Sequence, residues 1–173
     1  MKNNELKRCC ELLLQKELTI AFAESATAGR ISAEFSLMQD AGKFLKGGFV
    51  CYDACLKEEA LGVSPELIKK FTPESAEVAA AITKGLEKLI RADLHVGITG
   101  LAAPGGSETA EKPVGTMFIH INMAGKTLVS ERALFSGSPE EIIMQTTFYT
   151  AKLLNSHLLE EQSADTTLQR PAY

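Results

Sequence analysis

The 173-residue chain has the length and composition of one globular domain, with 45% hydrophobic and 23% charged residues. Its net charge is −4, it has no Trp and only 6% of its residues are aromatic, so it offers neither a basic surface nor stacking rings for nucleic acid. No stretch approaches the roughly 18 consecutive apolar residues of a membrane span, and the first residues lack a signal-peptide pattern, which predicts a cytoplasmic protein.

The first half of the chain alternates predicted helices with short apolar strands. Apolar residues at helical spacing alternate along it with short runs of strand-forming residues, and glycines and prolines mark the turns. The predicted elements are a helix over 3–16, a strand over 18–23, a helix over 27–38, a strand over 49–52, short helices over 58–61 and from 64, and a long helix over 73–92.

The second half is richer in strands. A strand is predicted over 94–99, followed by a polar loop over 100–113, a hairpin of strands over 114–123 and 127–135, and a helix over 138–159 that starts with a capping box. Helices that alternate with strands predict an α/β protein, a single three-layer α/β/α sandwich with a mixed, mostly parallel sheet. We expect this domain to occupy residues 1–160 and a polar, flexible tail to occupy residues 161–173.

Ser25 lies where the first predicted strand meets a helix. Free N–H groups at a helix N-terminus favour negative charge, so this turn suits a nucleophile and its oxyanion hole. The same position is also the ordinary place for an N-cap serine. The turn alone leaves both interpretations open.

Lys57 is a candidate base for such a serine. A lysine can activate a serine if burial or a neighbouring cation lowers its pKa. Lys57 has apolar neighbours and lies at a predicted helix start, where a cation is unfavourable, and Tyr52 ends the preceding strand and could orient or relay a proton. The alternative is an ordinary solvated lysine.

The sequence gives little support to a Ser-His-Asp triad. All three histidines are expected to be structural, namely His95, His120 and His157.

The glycine-rich loop over 100–113 is a candidate ligand site. It follows a strand end, where α/β proteins bind ligands, and Gly105 and Gly106 would let backbone approach a ligand closely. The alternative is a mobile surface loop. The four cysteines lack zinc spacing and are expected to be free thiols, with the roles of Cys51 and Cys55 left open.

Six segments, in order over residues 5–155, carry recognisable motifs. The segment Ala23-Glu24-Ser25-Ala26-Thr27-Ala28-Gly29 resembles A-E-S-C-T-G-G, and the segment from Gly48 to Lys57 resembles G-F-V-T-Y-S-N-E-A-K. Residues 98–106 resemble I-T-G-I-A-G-P-x-G-G, and three further segments match: 61–63 (L-G-V), 111–116 (E-K-P-V-G-T) and 135–137 (F-S-G). Together these motifs resemble those of the CinA C-terminal domain family, which includes nicotinamide mononucleotide deamidase.

The resemblance implies hydrolysis of the carboxamide of nicotinamide mononucleotide to nicotinate mononucleotide and ammonia, without a metal or an organic cofactor. It implies that Ser25 attacks the amide carbon, that Lys57 takes its proton, that Tyr52 assists and that N–H groups from Thr27 to Gly29 stabilise the oxyanion. The partners we expect are a small nucleotide substrate and further copies of the chain, with no nucleic acid and no membrane. The expected substrate-binding residues are Glu24, Thr27, Gly29, Gly48, Thr99, Gly100, Gly105 and Gly106.

The sequence also departs from the family pattern. Alanines replace a cysteine, two glycines and an asparagine of the motifs, at Ala26, Ala28, Ala103 and Ala54. The last helix lacks the arginine that commonly follows F-S-G-D, and this region holds Ser138, Pro139, Ile143 and Met144 instead. We expect several of these residues to line the pocket. They favour the alternative of a degenerate paralogue that binds a small ligand or a partner without hydrolysing this substrate.

Overall fold

The computed structural model describes residues 2–168, and the side chains of residues 4–159. Helices and strands alternate along it as the hydrophobic pattern predicts. In chain order they are α1 (Lys2–Gln15), β1 (Ile20–Glu24), α2 (Arg30–Ser36), α3 (Ala41–Phe44), β2 (Leu45–Val50), α4 (Ala54–Glu59), α5 (Pro65–Phe71), α6 (Ala76–Leu89), β3 (Leu94–Gly100), β4 (Thr116–Met123), β5 (Lys126–Leu134) and α7 (Pro139–Leu168).

The five strands form one mixed sheet in the order β2-β1-β3-β4-β5. β1 runs parallel to both β2 and β3, whereas β3–β4 and β4–β5 are antiparallel. The mixed sheet is therefore confirmed, with parallel pairings making up half of it rather than most of it. The antiparallel half arises because no helix separates β3 from β4, and because Ala124 and Gly125, both at positive φ, make a tight hairpin turn into β5.

Side chains of the buried strand β1 alternate between two cores. Phe22 packs with residues of α1, α2 and α7, whereas Ala21 and Ala23 pack with residues of α6. The sheet thus lies between two helical layers, and the three-layer sandwich is confirmed. From β1 the chain crosses to β2 on one side and then returns to β3 on the other. The carboxyl end of β1 is therefore a topological switch point, the usual ligand-binding position of an open α/β sheet.

Three elements near this point have boundaries that differ from the sequence prediction. α4 spans Ala54–Glu59 rather than 58–61, so Lys57 lies in its last turn and not at a helix start. α2 begins at Arg30 rather than at residue 27, because Ala28 and Gly29 have φ angles of 49° and 92° and form a turn. β2 ends at Val50, so Cys51 and Tyr52 lie just beyond the strand.

At the other end of the domain, α7 continues to Leu168 through part of the predicted tail, and residues 169–173 of that tail lie outside the described residues. None of the helices that the structure describes is long and apolar enough to cross a membrane.

Candidate active site

Ser25 is the first residue after β1 and lies at the switch point. Its N–H donates to the carbonyl of Ile98 on β3 at 2.9 Å, which fixes its backbone against the neighbouring strand. The residue is 7% exposed and lines a cleft of about 370 Å³. Within the described chain its hydroxyl makes no hydrogen bond, so the structure leaves it available to a ligand in the cleft.

The N-terminus of α2 is capped by Glu24, not by Ser25. The N-cap position is Gly29, with no side-chain cap of its own. The fully buried Glu24 carboxylate instead accepts hydrogen bonds at 2.6–3.1 Å from five donors: Thr27 Oγ1, Gly29 N, Ile31 N, Ser32 N and Ser32 Oγ. The capping interpretation of Ser25 is therefore wrong. Glu24, expected to bind substrate, lies beneath the cleft and holds the turn that carries Ser25.

This cap changes which N–H groups remain for an oxyanion. Gly29 N donates to Glu24, and Ala28 N donates to the carbonyl of Ser25 at 3.2 Å. In the described chain the N–H groups of Ala26 and Thr27 have no hydrogen-bond acceptor. Of the oxyanion donors expected from Thr27 to Gly29, only the N–H of Thr27 is therefore available. The N–H of Ala26, the residue directly after Ser25, is a further available donor.

Lys57 is buried, with 1% of its surface exposed. It lies on α4, whose N-cap Asp53 accepts from the N–H of Cys55 at 2.9 Å. Its Nζ donates to the carbonyl oxygens of Cys51 at 2.9 Å and Tyr52 at 3.5 Å. Burial lowers the pKa of Lys57 below its ordinary value. The solvated-lysine alternative is wrong, because Lys57 is buried. In its neutral form the amine would keep two N–H donors for these two carbonyls and a lone pair to accept a proton.

The strand register brings Lys57 towards Ser25. The N–H of Cys51 donates to the carbonyl of Glu24 at 2.8 Å, so Cys51 lies beside the end of β1, and Lys57 is bound to the carbonyl of the same residue. Adjacent strands are about 4.8 Å apart. The amine and the hydroxyl thus belong to neighbouring strand ends, although they make no direct hydrogen bond with each other in the structure.

Tyr52 lies at the rim of the cleft and is 69% exposed. Its ring can therefore contact a bound ligand, whereas its carbonyl faces Lys57. The nearby cysteines are free thiols, as predicted. Burial raises the pKa of Cys51 to about 11, so this thiol stays protonated near neutral pH, and Cys55 is exposed.

The expected substrate-binding residues divide into a lining set and a supporting set. Gly100, Gly105 and Gly106 line the cleft. The supporting set lies underneath or behind it: Glu24, Thr27, Gly29, Gly48 and Thr99. A Cβ on Gly48 would clash with Ser32 Oγ, so this glycine allows α2 to approach β2, and Thr99 Oγ1 donates to the carbonyl of Pro73 at 2.9 Å.

The sequence prediction missed Glu74, whose segment it identified only as a helix start. Glu74 lines the cleft, and its carboxylate accepts from Ser107 Oγ. Lys112 fixes the same segment through hydrogen bonds to Thr72 Oγ1 at 2.6 Å, the Glu74 carbonyl at 2.9 Å and Ser107 Oγ at 2.7 Å. The E-K-P-V-G-T match at Lys112 was the available signal, but it did not reveal which residues the lysine contacts.

The substituted positions also divide into two sets. Of the residues that depart from the family pattern, those that line the cleft are Ala26, Ala28, Ala103, Pro139 and Ile143, whereas Ala54, Ser138 and Met144 do not. The histidines lie outside the cleft, with ring nitrogens against Ile90 O, Asn122 Oδ1 and Leu153 O, as expected of structural residues. Among the side chains that the structure describes, no three His, Cys, Asp or Glu residues are grouped to hold a metal ion.

Comparison with known proteins identifies the family. The model of the CinA C-terminal domain matches residues 3–158. A CinA-like protein of Dictyoglomus thermophilum is 36% identical over 149 residues, 86% of this chain and 36% of that protein. One from Geobacter sp. strain M21 is 35% identical over 156 residues, 90% of this chain and 37% of that protein. The chain thus spans about a third of the length of these curated relatives.

Solved structures agree with the sequence match. The competence-damaged protein (CinA) superfamily protein of Enterobacter cloacae has a TM-score of 0.84 and 28% identity, covering 91% of this chain and 92% of that one. A competence or damage-inducible protein of Enterobacter asburiae has a TM-score of 0.85 and 25% identity, covering 91% and 98%. The fold, the motifs and the match over nearly the whole chain together show that this protein belongs to the CinA C-terminal domain family.

Proposed function

We propose that this chain is a Ser/Lys amidohydrolase that hydrolyses the primary carboxamide of a small nicotinamide compound, nicotinamide mononucleotide being the substrate that the family resemblance implies. One observation carries the proposal. The Ser25 hydroxyl faces the cleft without a hydrogen-bond partner in the described chain, and a buried lysine with a lowered pKa is bound at the adjoining strand end. A nucleophile needs such a base nearby, and the base needs such a pKa.

The proposed reaction has two stages. Ser25 Oγ attacks the carboxamide carbon while Lys57 takes the hydroxyl proton, and the resulting oxyanion is stabilised by the N–H groups of Ala26 and Thr27. The C–N bond then breaks, Lys57 returns the proton to the leaving nitrogen, and ammonia departs from an ester on Ser25. Water attacks this ester with Lys57 again as the base, which releases the carboxylate and restores the serine.

The separation of Ser25 and Lys57 is compatible with this scheme. Catalytic hydrogen bonds are often long before substrate binds and shorten in the complex. The carbonyl of Tyr52 is the more distant of the two acceptors of Lys57, at 3.5 Å, and is the weaker contact. We expect the amine to exchange this contact for the Ser25 hydroxyl when substrate enters the cleft.

The test follows conversion of the carboxamide to the carboxylate by proton NMR, with nicotinamide mononucleotide as substrate. We expect the wild-type protein and the control Ser36→Ala to convert it at equal rates, since the exposed Ser36 hydroxyl only donates to the carbonyl of Ala33 within α2. We expect Ser25→Ala to abolish conversion. Conversion by Ser25→Ala at the wild-type rate would overturn the assignment of the nucleophile.

A second candidate function is ligand binding without hydrolysis. The contacts of Lys57 with the carbonyls of Cys51 and Tyr52, rather than with Ser25, favour it, as do Pro139 and Ile143 in place of polar residues on the cleft wall. Calorimetric titration separates the two candidates. Tight binding without any turnover would support the binding protein, whereas sustained turnover would reject it.

A further inference from the structure

The charge of the cleft is unbalanced. Of the residues of the described chain that line it, Glu74 alone is charged, and none is Lys, Arg or His. The remaining lining is small, apolar or uncharged: three glycines, several alanines, two prolines, Leu101, Ile143, Ser25 and Tyr52. A phosphate carries a charge of about −1.5 to −2 at neutral pH and is normally bound by arginine, lysine or a helix N-terminus. The cleft lining provides no cationic side chain for one.

Basic residues near the cleft are committed elsewhere. The buried Lys57 donates to two backbone carbonyls. The ammonium of Lys112 uses three hydrogen bonds to tie the loop to the segment before α6. Arg30 at the start of α2 pairs with Glu34 at 2.7 Å and lies 4.0 Å from Glu140.

Three helix N-termini lie at the cleft, those of α2, α6 and α7, and each is capped by residues of the chain itself. The Ser75 side chain accepts from the N–H of Val78 at α6, and Ser138 and Glu141 cap α7. At α2 the cap is a carboxylate. The buried carboxylate of Glu24 accepts from three of the backbone N–H groups at this helix end. The helix end therefore faces a fixed negative charge rather than an empty anion site.

Glu74, by contrast, is held in place at the cleft. Its carboxylate accepts from Ser107 Oγ, and its carbonyl accepts from Lys112 Nζ. Its side chain also lies near Gly106, where its Oε1 would be 3.8 Å from an added Cβ. The half-buried carboxylate thus presents a localised negative charge to the ligand, and the exposed ring of Tyr52 adds an aromatic surface that attracts cations.

We propose that Glu74 determines the substrate specificity of the cleft. The cleft selects a cationic carboxamide that carries no phosphate, which is an N-substituted pyridinium amide such as nicotinamide riboside. This compound is preferred over nicotinamide mononucleotide. This inference rests on the proposed hydrolysis at Ser25 and concerns the charge of the substrate. The reaction is balanced as before: the riboside carboxamide and one water give the riboside carboxylate and ammonium. A positive pyridinium ring gains from Glu74, whereas a phosphate is repelled by it.

The test compares kcat/KM for the riboside and the mononucleotide, and their Kd values on the Ser25→Ala protein by calorimetry. We expect the wild-type protein to prefer the riboside by about fivefold, as expected for one carboxylate–phosphate repulsion at about 4 Å in water. The Lys112 ammonium, which donates to the same Ser107 hydroxyl that Glu74 accepts from, offsets part of the Glu74 charge. Glu74→Gln keeps an oxygen for Ser107 and removes the charge, so it should lower the preference several-fold. Glu77→Gln, which removes an exposed carboxylate from the first turn of α6, three residues after Glu74, should leave it unchanged.

A gain-of-function variant provides an independent arm. Ile143→Arg adds a cation to the cleft wall and should improve the kcat/KM and Kd of the mononucleotide relative to the riboside, whereas Ile143→Leu should not. Equal or tighter binding of the mononucleotide by the wild-type site, or no measurable binding of either compound, would overturn the inference. Preferential riboside binding without turnover would retain it and overturn the proposed hydrolysis, so the two failures are distinguishable.

Discussion

Lys57 Nζ donates a 2.9 Å hydrogen bond to the carbonyl oxygen of Cys51, whose own N–H donates to the carbonyl of Glu24 at 2.8 Å. The position of the lysine is therefore tied to the pairing of β1 with β2. Ser25 follows Glu24 directly, so the same pairing that orders the sheet also sets the distance between the proposed nucleophile and the proposed base. This link leads to predictions about both catalysis and stability.

Replacing the base should remove activity without unfolding the domain. Lys57→Met keeps an unbranched side chain in the buried site and deletes the amine, so we expect kcat/KM to fall by about 10²- to 10⁴-fold, the usual contribution of a general base. Lys84→Met, on the exposed side of α6, is the matched control and should retain full activity. Circular dichroism of both variants verifies folding, and an active Lys57→Met protein would contradict the assignment.

The rate should rise with pH through the lowered pKa of Lys57. The amine must be neutral to accept the Ser25 proton, and burial lowers the pKa of this lysine from its ordinary value near 10.5. Activity is therefore low where the amine is protonated and increases as the pH passes the lowered pKa, which lies below 10.5. A pH profile of kcat/KM measures this limb. An ascending limb at or above 10.5 would show that the base is an unperturbed lysine.

Glu24 should be a major determinant of stability. In Glu24→Gln an NH₂ group replaces one carboxylate oxygen and faces N–H and hydroxyl donors, leaving buried groups unpaired. We expect the free energy of unfolding to fall by about 3 kcal/mol, measured by urea denaturation. Glu34→Gln, which loses one surface ion pair with Arg30, should change it by less than about 0.5 kcal/mol. Equal effects would mean that the cap contributes little.

Alanine substitutions at two glycines should have different effects on the stability of the domain. A Cβ on Gly48 would clash with Ser32 Oγ and lie 3.0 Å from Ser32 Cβ, so Gly48→Ala should destabilise the domain by about 1–3 kcal/mol. Gly42 lies in α3 with nothing within 4 Å of its added Cβ, so Gly42→Ala should be neutral or stabilising by up to about 1 kcal/mol. Thermal melts compare the two proteins. A Gly48→Ala protein as stable as the wild type would show that β2 and α2 can separate freely.

Much of the fold could be predicted because its elements are locally encoded. The all-buried run of β1 and the helical spacing along α6 are visible in the sequence, and so are the Ser138 and Glu141 side chains that cap α7. The share of parallel strand pairs was overestimated, because strand pairing joins distant parts of the chain and is not visible in the local sequence. The expected cytoplasmic location and the assembly of several copies stay predictions, the second of which light scattering can check.

The site was predicted less completely for the same reason. The sequence placed Ser25 directly after β1 and Lys57 a few residues after the next strand, but it did not show that these two strands pair. Ser25 resembled a cap because serine is a common capping residue. The true cap, Glu24, reaches Ser32 eight residues along the chain, a contact that depends on the conformation of the turn. Glu74 enters the cleft from the start of α6, and only the three-dimensional arrangement brings it beside Gly106.

The most direct test of the central claim is release of labelled ammonia from a nicotinamide compound with ¹⁵N in its carboxamide, measured for the wild type, Ser25→Ala and Lys57→Met at equal concentrations. Both the riboside and the mononucleotide are supplied, so the result does not depend on substrate charge. We predict multiple turnovers by the wild type and no release above buffer by either variant. Release at the wild-type rate from Ser25→Ala, or none from the wild type with both compounds, would contradict the account.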